Sequence, residues 1–206
     1  NVAIGVSTFT AQNFTTSTDS YNTAVGALAG TAVTTGLYNT LIGGLAGDAL
    51  TDADYNVAMG SNSLTTDTLG SRSTAIGAYT LATQNFTSAT DSYNTAVGFQ
   101  AGEAVTTGSN NTLIGGLAGD AITTGVNNVA VGNSAGFSSD SNGSNVFIGN
   151  LAGYEADSAT ISAINNVYIG QSAGQFLDDG ENNVAVGFNA MASNSDGAGN
   201  VVNACI

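Results

Sequence analysis

Asn22-Thr23-Ala24-Val25-Gly26, Asn39-Thr40-Leu41-Ile42-Gly43 and Asn56-Val57-Ala58-Met59-Gly60 follow one another at a spacing of 17 residues, and they decide how the rest of the chain is read. The same five-residue pattern ends at Gly5, Gly26, Gly43, Gly60, Gly77, Gly98, Gly115, Gly132, Gly149, Gly170 and Gly187, and a degraded copy, Asn200 to Ala204, closes the sequence. The steps run 21, 17, 17, 17 and then repeat, which makes a super-repeat of 72 residues. Whole blocks recur: Gln12-Asn13-Phe14 and Asp19-Ser20-Tyr21-Asn22 return as Gln84-Asn85-Phe86 and Asp91-Ser92-Tyr93-Asn94. Self-similarity at a fixed period means a repeat architecture, in which each unit buries its apolar face only against its neighbours.

The unit itself reads as a short strand. Two β-branched residues flank one small or apolar residue, and Asn and Gly bound the group as turn residues do. Side chains alternate across a strand, so each copy has two faces. One carries Val or Thr with Ile, Val or Met. The other carries Ala24, Leu41, Ala58, Ala75, Ala96, Leu113, Ala130, Phe147, Tyr168 and Ala185. Both faces are apolar and both ask for cover. The expected arrangement puts the Val/Thr and Ile/Val face inside the coil and turns the Ala/Leu/Phe/Tyr column toward a second copy; the opposite assignment is the alternative. After the strand come Ala, Ser or Thr and then Gly or a bulky residue (Ala29-Gly30, Ala46-Gly47, Ser63-Leu64, Thr80-Leu81), followed by return turns such as Thr34-Thr35-Gly36.

The fold expected is therefore all-β: a parallel β-roll or β-solenoid of about 11 coils, roughly 53 Å long at the usual strand spacing. It forms one repeat domain over residues 1–206, with super-repeats at 5–76, 77–148 and 149–206. Both ends fall inside a motif, so the chain reads as a segment of a longer fibre. Stacking gives the recurrent residues structural roles. Asn22, Asn39, Asn56, Asn94, Asn111, Asn128, Asn145, Asn166 and Asn183 are expected to form a side-chain ladder between coils, with Ser73 as the exception. Gly26, Gly43, Gly60, Gly77, Gly98, Gly115, Gly132, Gly149, Gly170 and Gly187 are expected where φ is positive or backbones approach closely.

These units resemble two families. Asn-Thr-Ala-Val-Gly at 22–26, Asn-Thr-Leu-Ile-Gly at 39–43 and Asn-Val-Ala-Val-Gly at 183–187 look like the head repeats of YadA-type trimeric autotransporter adhesins. The 17-residue spacing with Ala-Gly or Ala-Leu-type pairs after the motif is similar to the shaft repeats of bacteriophage tail fibres. The coils are longer than those of the YadA-type heads. The resemblance implies a left-handed roll, a homotrimer, and an extracellular place on a virion tail fibre or a bacterial surface.

Composition narrows the function. One Lys or Arg stands against 15 Asp and Glu, for a net charge of −14, so nothing basic is present to meet nucleic acid or an anionic membrane. No apolar run approaches the length of a membrane span. His is absent and Cys205 is the single Cys, which removes the commonest general base, most transition-metal ligand sets and an internal disulfide. Cys205 is expected to be a small buried residue. An enzyme is not expected, because Asp178, Asp179 and Glu181, or Asp52 and Asp54, lie in Gly- and Asn-rich turns where solvated acids are ordinary. The leading reading is a structural and attachment fibre. Candidate contacts with a host glycan or protein are Phe14, Tyr21, Phe86 and Tyr93 in the widened coils, aromatics set among Thr, Ser and Asn. No cofactor is expected; calcium at Asp52/Asp54, Asp140/Asn142 or Asp178/Asp179/Glu181 is the one ion considered. Ice binding is a further alternative, counted against because the Thr column is interrupted by Val57, Val129, Val146, Val167 and Val184 and is expected to be buried.

Overall fold

The computed structural model describes residues 1–14, 18–137, 143–154, 164–176 and 181–192, together with the strand at Val202–Asn203. Among the described residues there is no helix. Twelve short strands, from Val2–Ile4 to Val202–Asn203, form one parallel sheet in which each motif pairs with the next. The register is residue for residue: Val2 faces Thr23, Thr23 faces Thr40, Thr40 faces Val57 and Val57 faces Thr74. The longer coils keep it too, with Thr74 opposite Thr95 and Val146 opposite Val167. Their extra residues therefore go into the return segment and not into the strand. At the last copy Val184 pairs with Val202, one residue beyond the position the repeat spacing assigns it.

The turn segments stack as the strands do. Gly30 donates to Ala46 and Ala32 to Asp48, so the layer facing the strands also satisfies its backbone groups between coils. A second, two-stranded sheet, Gly70–Ser71 with Thr90–Asp91, braces the return segment of the 77–98 coil.

The strand-middle column fills the interior. Ala24, Leu41, Ala58, Ala75, Ala96, Leu113, Ala130, Phe147, Tyr168 and Ala185 are all buried. The residues on either side of them face outward, and the exposed ones include Ile4, Met59, Ile76, Ile114, Ile148 and Ile169. This corrects the expected arrangement, in which the Val/Thr and Ile/Val face filled the coil. The reason is volume. The turn layer lies so close behind the strand that bulk at one position must be answered by its absence at another. A Cβ on Gly47 would stand 2.7 Å from Leu41, one on Gly119 2.7 Å from Leu113, one on Gly153 2.4 Å from Phe147 and one on Gly174 2.4 Å from Tyr168. Where the strand residue is Ala58 or Ala75, the same turn position is Leu64 or Leu81. A narrow interior filled this way holds one row of strand side chains, not two β-branched rows, and close packing tolerates neither a void nor an excess methylene.

Candidate interaction surface

At the corner before each strand the Asn side chain does two things at once. Asn22 Oδ1 accepts the backbone N–H of Asn39 at 2.8 Å, and Asn22 Nδ2 donates to the carbonyl of Gly36 at 2.7 Å. Asn39 does the same to Asn56 N–H and the Ala53 carbonyl, and Asn56 to Ser73 N–H and the Gly70 carbonyl. Asn111, Asn128, Asn145, Asn166 and Asn183 each give their N–H to the Asn of the preceding coil at 2.9–3.0 Å. The amides thus bond the main chain of the next coil and not one another. All of these Asn are buried, where an unmatched N–H or C=O is costly.

The motif glycines stand in one file. Their φ angles lie between 128° and 142°, and a Cβ on Gly26 would be 2.3 Å from the carbonyl oxygen of Gly43. Any side chain here would drive one coil into the next.

Ser73 interrupts the Asn file, and the surrounding coil compensates. Gln84 reaches in from the following turn, donating from Nε2 to Ser73 Oγ at 2.8 Å and to Asp67 Oδ2 at 2.6 Å, while its Oε1 accepts from Asn94 Nδ2 at 2.8 Å. Asp67 Oδ1 accepts the N–H groups of Gly70 and Phe86, both at 3.0 Å. Ser73 and Ser92 share a hydroxyl contact. Val33, Leu50, Val105 and Ile122 occupy the place of Asp67 and Gln84 in other coils. Burial pushes the Asp67 carboxyl up, and its hydrogen bonds oppose that only in part. The pair anchors the widened return segment, because the Phe86 N–H it holds lies within the extra residues.

On the outside of the same coil Arg72 takes the place of a tyrosine. Tyr21, Tyr38 and Tyr55 stack with centroid separations of 5.3 and 4.8 Å, and the Arg72 guanidinium continues the column, 4.8 Å from the Tyr55 ring and 5.8 Å from that of Tyr93. Arg72 Nε also meets Asp91 at 3.0 Å. Every residue of this column has positive φ, from 50° at Tyr93 to 63° at Arg72, and so do Leu28, Leu45, Tyr79 and Leu117 just beyond the strand. A left-handed conformation costs a bulky L-residue roughly 1–2 kcal/mol.

The widened-coil aromatics separate on inspection. Phe86 is buried, 7% exposed, and presents no contact surface; its proposed role there is withdrawn, because it closes the interior of the long coil. Phe14 is half-buried. Tyr21 and Tyr93 are exposed, but the former stacks on Tyr38 and the latter lies under Arg72, so each has a ring face already occupied.

Among the described residues no group of three or more His, Cys, Asp or Glu could hold a metal. Asp52 accepts from Thr35 Oγ1 at 2.5 Å and Asp54 from the Leu37 N–H at 2.7 Å, which accounts for both as coil-to-coil staples. Asp140, Asn142, Asp178, Asp179 and Cys205 lie outside the described residues, while Glu181 is exposed. Asp120 stands out electrostatically: burial, with the negative charge of Glu103 added, pushes its carboxyl up to about 6. Sequence reading passed over Asp67, Gln84 and Asp120; for Asp67 and Gln84 the visible signal was a polar or acidic residue at a column position otherwise held by Val, Leu or Ile, whereas the column of Asp120 already carries Asp48 and Glu103 and gave none.

The largest continuous feature is the outward sheet face. It pairs a Thr/Val column with an Ile/Val/Met column along the sheet and carries no charge. Ile4 is 59% exposed, Val186 42% and Ile114 40%. A single strip of this kind exceeds the scattered apolar exposure normal for a surface. No protein-family model, curated protein or solved structure matches the chain. No helix of the described residues is long and apolar enough to cross a membrane.

Proposed function

We propose that the chain is the shaft of a trimeric surface-attachment fibre, a rigid extracellular rod of the phage tail-fibre kind, with the head of a bacterial trimeric adhesin as its nearest alternative. The observation that supports this is the outward strip of Ile, Val and Met. Twelve strands at roughly 4.8 Å make a strip about 55 Å long, and a strand with its flanks spans roughly 20 Å. The product is about 1,100 Å² per copy; a trimer divides it between two neighbours, so each contact falls below the ~800 Å² per partner of a standard interface while the whole strip exceeds it. Copies of one chain are the natural partners, because the strip repeats with the same period as the surface that must match it. Rigidity follows from the coil contacts: each unit is locked to the next by strand, turn and Asn hydrogen bonds, which suits a spacer that holds a tip away from its base. Sedimentation equilibrium of the full chain tests the reading. It expects a mass three times that of the chain, and a stable monomer overturns it.

A second reading draws on a specific observation. The Thr column, expected inside, lies outside with Thr23, Thr40, Thr74, Thr95 and Thr112 in register beside the Ile/Val column. A regular, uncharged Thr array on a flat face is what ice binding requires, and here Val57 and every copy from Val129 to Val184 interrupt it. The two readings compete for one face, so a monomer that also shows thermal hysteresis selects the second.

A further inference from the structure

We propose that Tyr21, Tyr38 and Tyr55 are a site of oxidative cross-linking, where a one-electron oxidant of the peroxidase kind joins the rings of successive coils as dityrosine. The three stand 17 residues apart, each two residues before its strand, and the register of the coils lays each ring over the next. Tyr38 and Tyr55 have ring centroids 4.8 Å apart and planes 2° from parallel; Tyr21 and Tyr38 are 5.3 Å apart at 12°. All three are exposed, at 62%, 43% and 47%. A small oxidant therefore meets them from solvent while the backbone holds them together.

The backbone does not ask for tyrosine here. Their φ angles are 51°, 58° and 59°, a left-handed conformation that suits Asn and is unfavourable for a bulky residue. In later coils the same position is Asn110, Asn127, Asn165 and Asn182, left-handed too. In the earlier coils the side chain is the reason for the residue, and what it supplies is a file of phenols.

The other four tyrosines lack this arrangement. Among the described residues Tyr79 meets Phe99 edge-on at 6.4 Å, Tyr154 stacks on Phe137 at 5.0 Å, and Tyr168 is buried against Phe147 at 5.6 Å. Tyr93 lies under Arg72, whose guanidinium also caps the run, 4.8 Å from the Tyr55 ring. Phe and Arg have no phenol to oxidise, so coupling is confined to Tyr21 with Tyr38 and Tyr38 with Tyr55. The chain has no Lys and a single Cys, so neither a Lys amide nor an internal disulfide can tie one coil to another.

Each ring gives one electron to the oxidant and its phenolic proton to solvent, leaving two neutral phenoxyl radicals. Their odd electrons pair in one carbon–carbon bond between Cε positions, ortho to the hydroxyls. The hydrogen on each of those carbons then moves to the phenol oxygen, which restores both aromatic rings. Two hydrogens leave the protein in all, and hydrogen peroxide takes up the two electrons and two protons to become two waters. A partner held in stacking contact turns the encounter of two radicals into a unimolecular event. The exposed rings can swing on χ1 and χ2 to close the bond.

The test treats the full chain, at high dilution, with a peroxidase and hydrogen peroxide. It reads the blue emission of dityrosine, the intact mass, and the peptides released by cleavage before Asp, which puts Tyr21 and Tyr38 on 19–47 and Tyr55 on 54–66. Expected is emission from chains that keep single-chain mass on a denaturing gel, a loss of two hydrogens, and 19–47 covalently joined to 54–66. Tyr38→Phe keeps a stacked ring and should abolish that emission, whereas Tyr79→Phe and Tyr93→Phe should leave it unchanged. Oxidation of tyrosine without the loss of two hydrogens overturns the proposal. Emission undiminished in Tyr38→Phe, or found only in covalent dimers and trimers, overturns it as well. Because the bond lies within one chain, a native monomer that forms it contradicts the trimer and supports this site.

Discussion

The coil at Asn39 and the coil at Ser73 meet the same requirement with different parts. In the first, one side chain supplies an acceptor for the Asn56 N–H and a donor for the Ala53 carbonyl, and the neighbouring interior position is the apolar Leu50. In the second, Ser73 is too short for either task, and Gln84 and Asp67 enter the interior to rebuild the polar network around it. The comparison teaches that the corner, not the residue, is the conserved demand: every buried N–H and C=O at the bend must find a partner. It also places the departure. The substituted coil lies beside the widened one, and the same Asp67 that answers for Ser73 holds the N–H of Phe86 in the added loop.

Removing the ordinary corner should hurt most. Asn39→Ala leaves a buried N–H and a buried C=O unpaired, at about 1–3 kcal/mol each, so a loss near 4 kcal/mol is expected in chemical denaturation. Gln84→Ala should cost less, about 3 kcal/mol, because it opens a cavity and weakens the Asp67 contacts but leaves Asn94 Nδ2 bonded to the Gly108 carbonyl. An equal or larger loss for Gln84→Ala would mean that the substituted corner depends on its network more than the ordinary one depends on its Asn.

Acidity distinguishes the two kinds of coil as well. The Asp120 carboxyl is raised in the folded chain to about 6 from 3.8, so the fold holds a proton there that the unfolded chain has released. Its contribution is full below about pH 4 and fades as pH rises through 6. Asp67 is raised in the same direction. Melting temperature should therefore fall between pH 4 and 7, and Asp120→Asn should flatten that slope without removing it, leaving the share due to Asp67. The smallest effect is expected from Arg72→Ala. Arg72 is solvent-exposed and its pairing with Asp91 is screened by salt, so any change in melting temperature should vanish at high ionic strength.

Much of the fold was legible. Constant spacing fixed the stacking direction and register, because a strand bounded by Asn and Gly at one period can align only with its own copies. What spacing could not show was which face turned inward, since Thr and Val on one side and Ala and Leu on the other are both apolar. The deciding signal was reciprocal bulk, Leu41 with Gly47 against Ala58 with Leu64, and it lies in the coupling between two columns and not in either alone. Among the candidate contacts, Tyr21 and Phe86 carry similar chemistry in the sequence. Only the path of the long coil, pinned by Asp67, sends Phe86 inside.

The account rests on the alternation within a three-residue strand, Leu113 inside and Ile114 outside. Sedimentation equilibrium combined with circular dichroism on Ile114→Asp tests it most directly. Ile114 faces outward, so a charge there should leave the coil folded and, if copies meet through this strip as proposed, turn the trimer into monomers. A variant that unfolds, or one that stays assembled with an unchanged mass, would contradict the account.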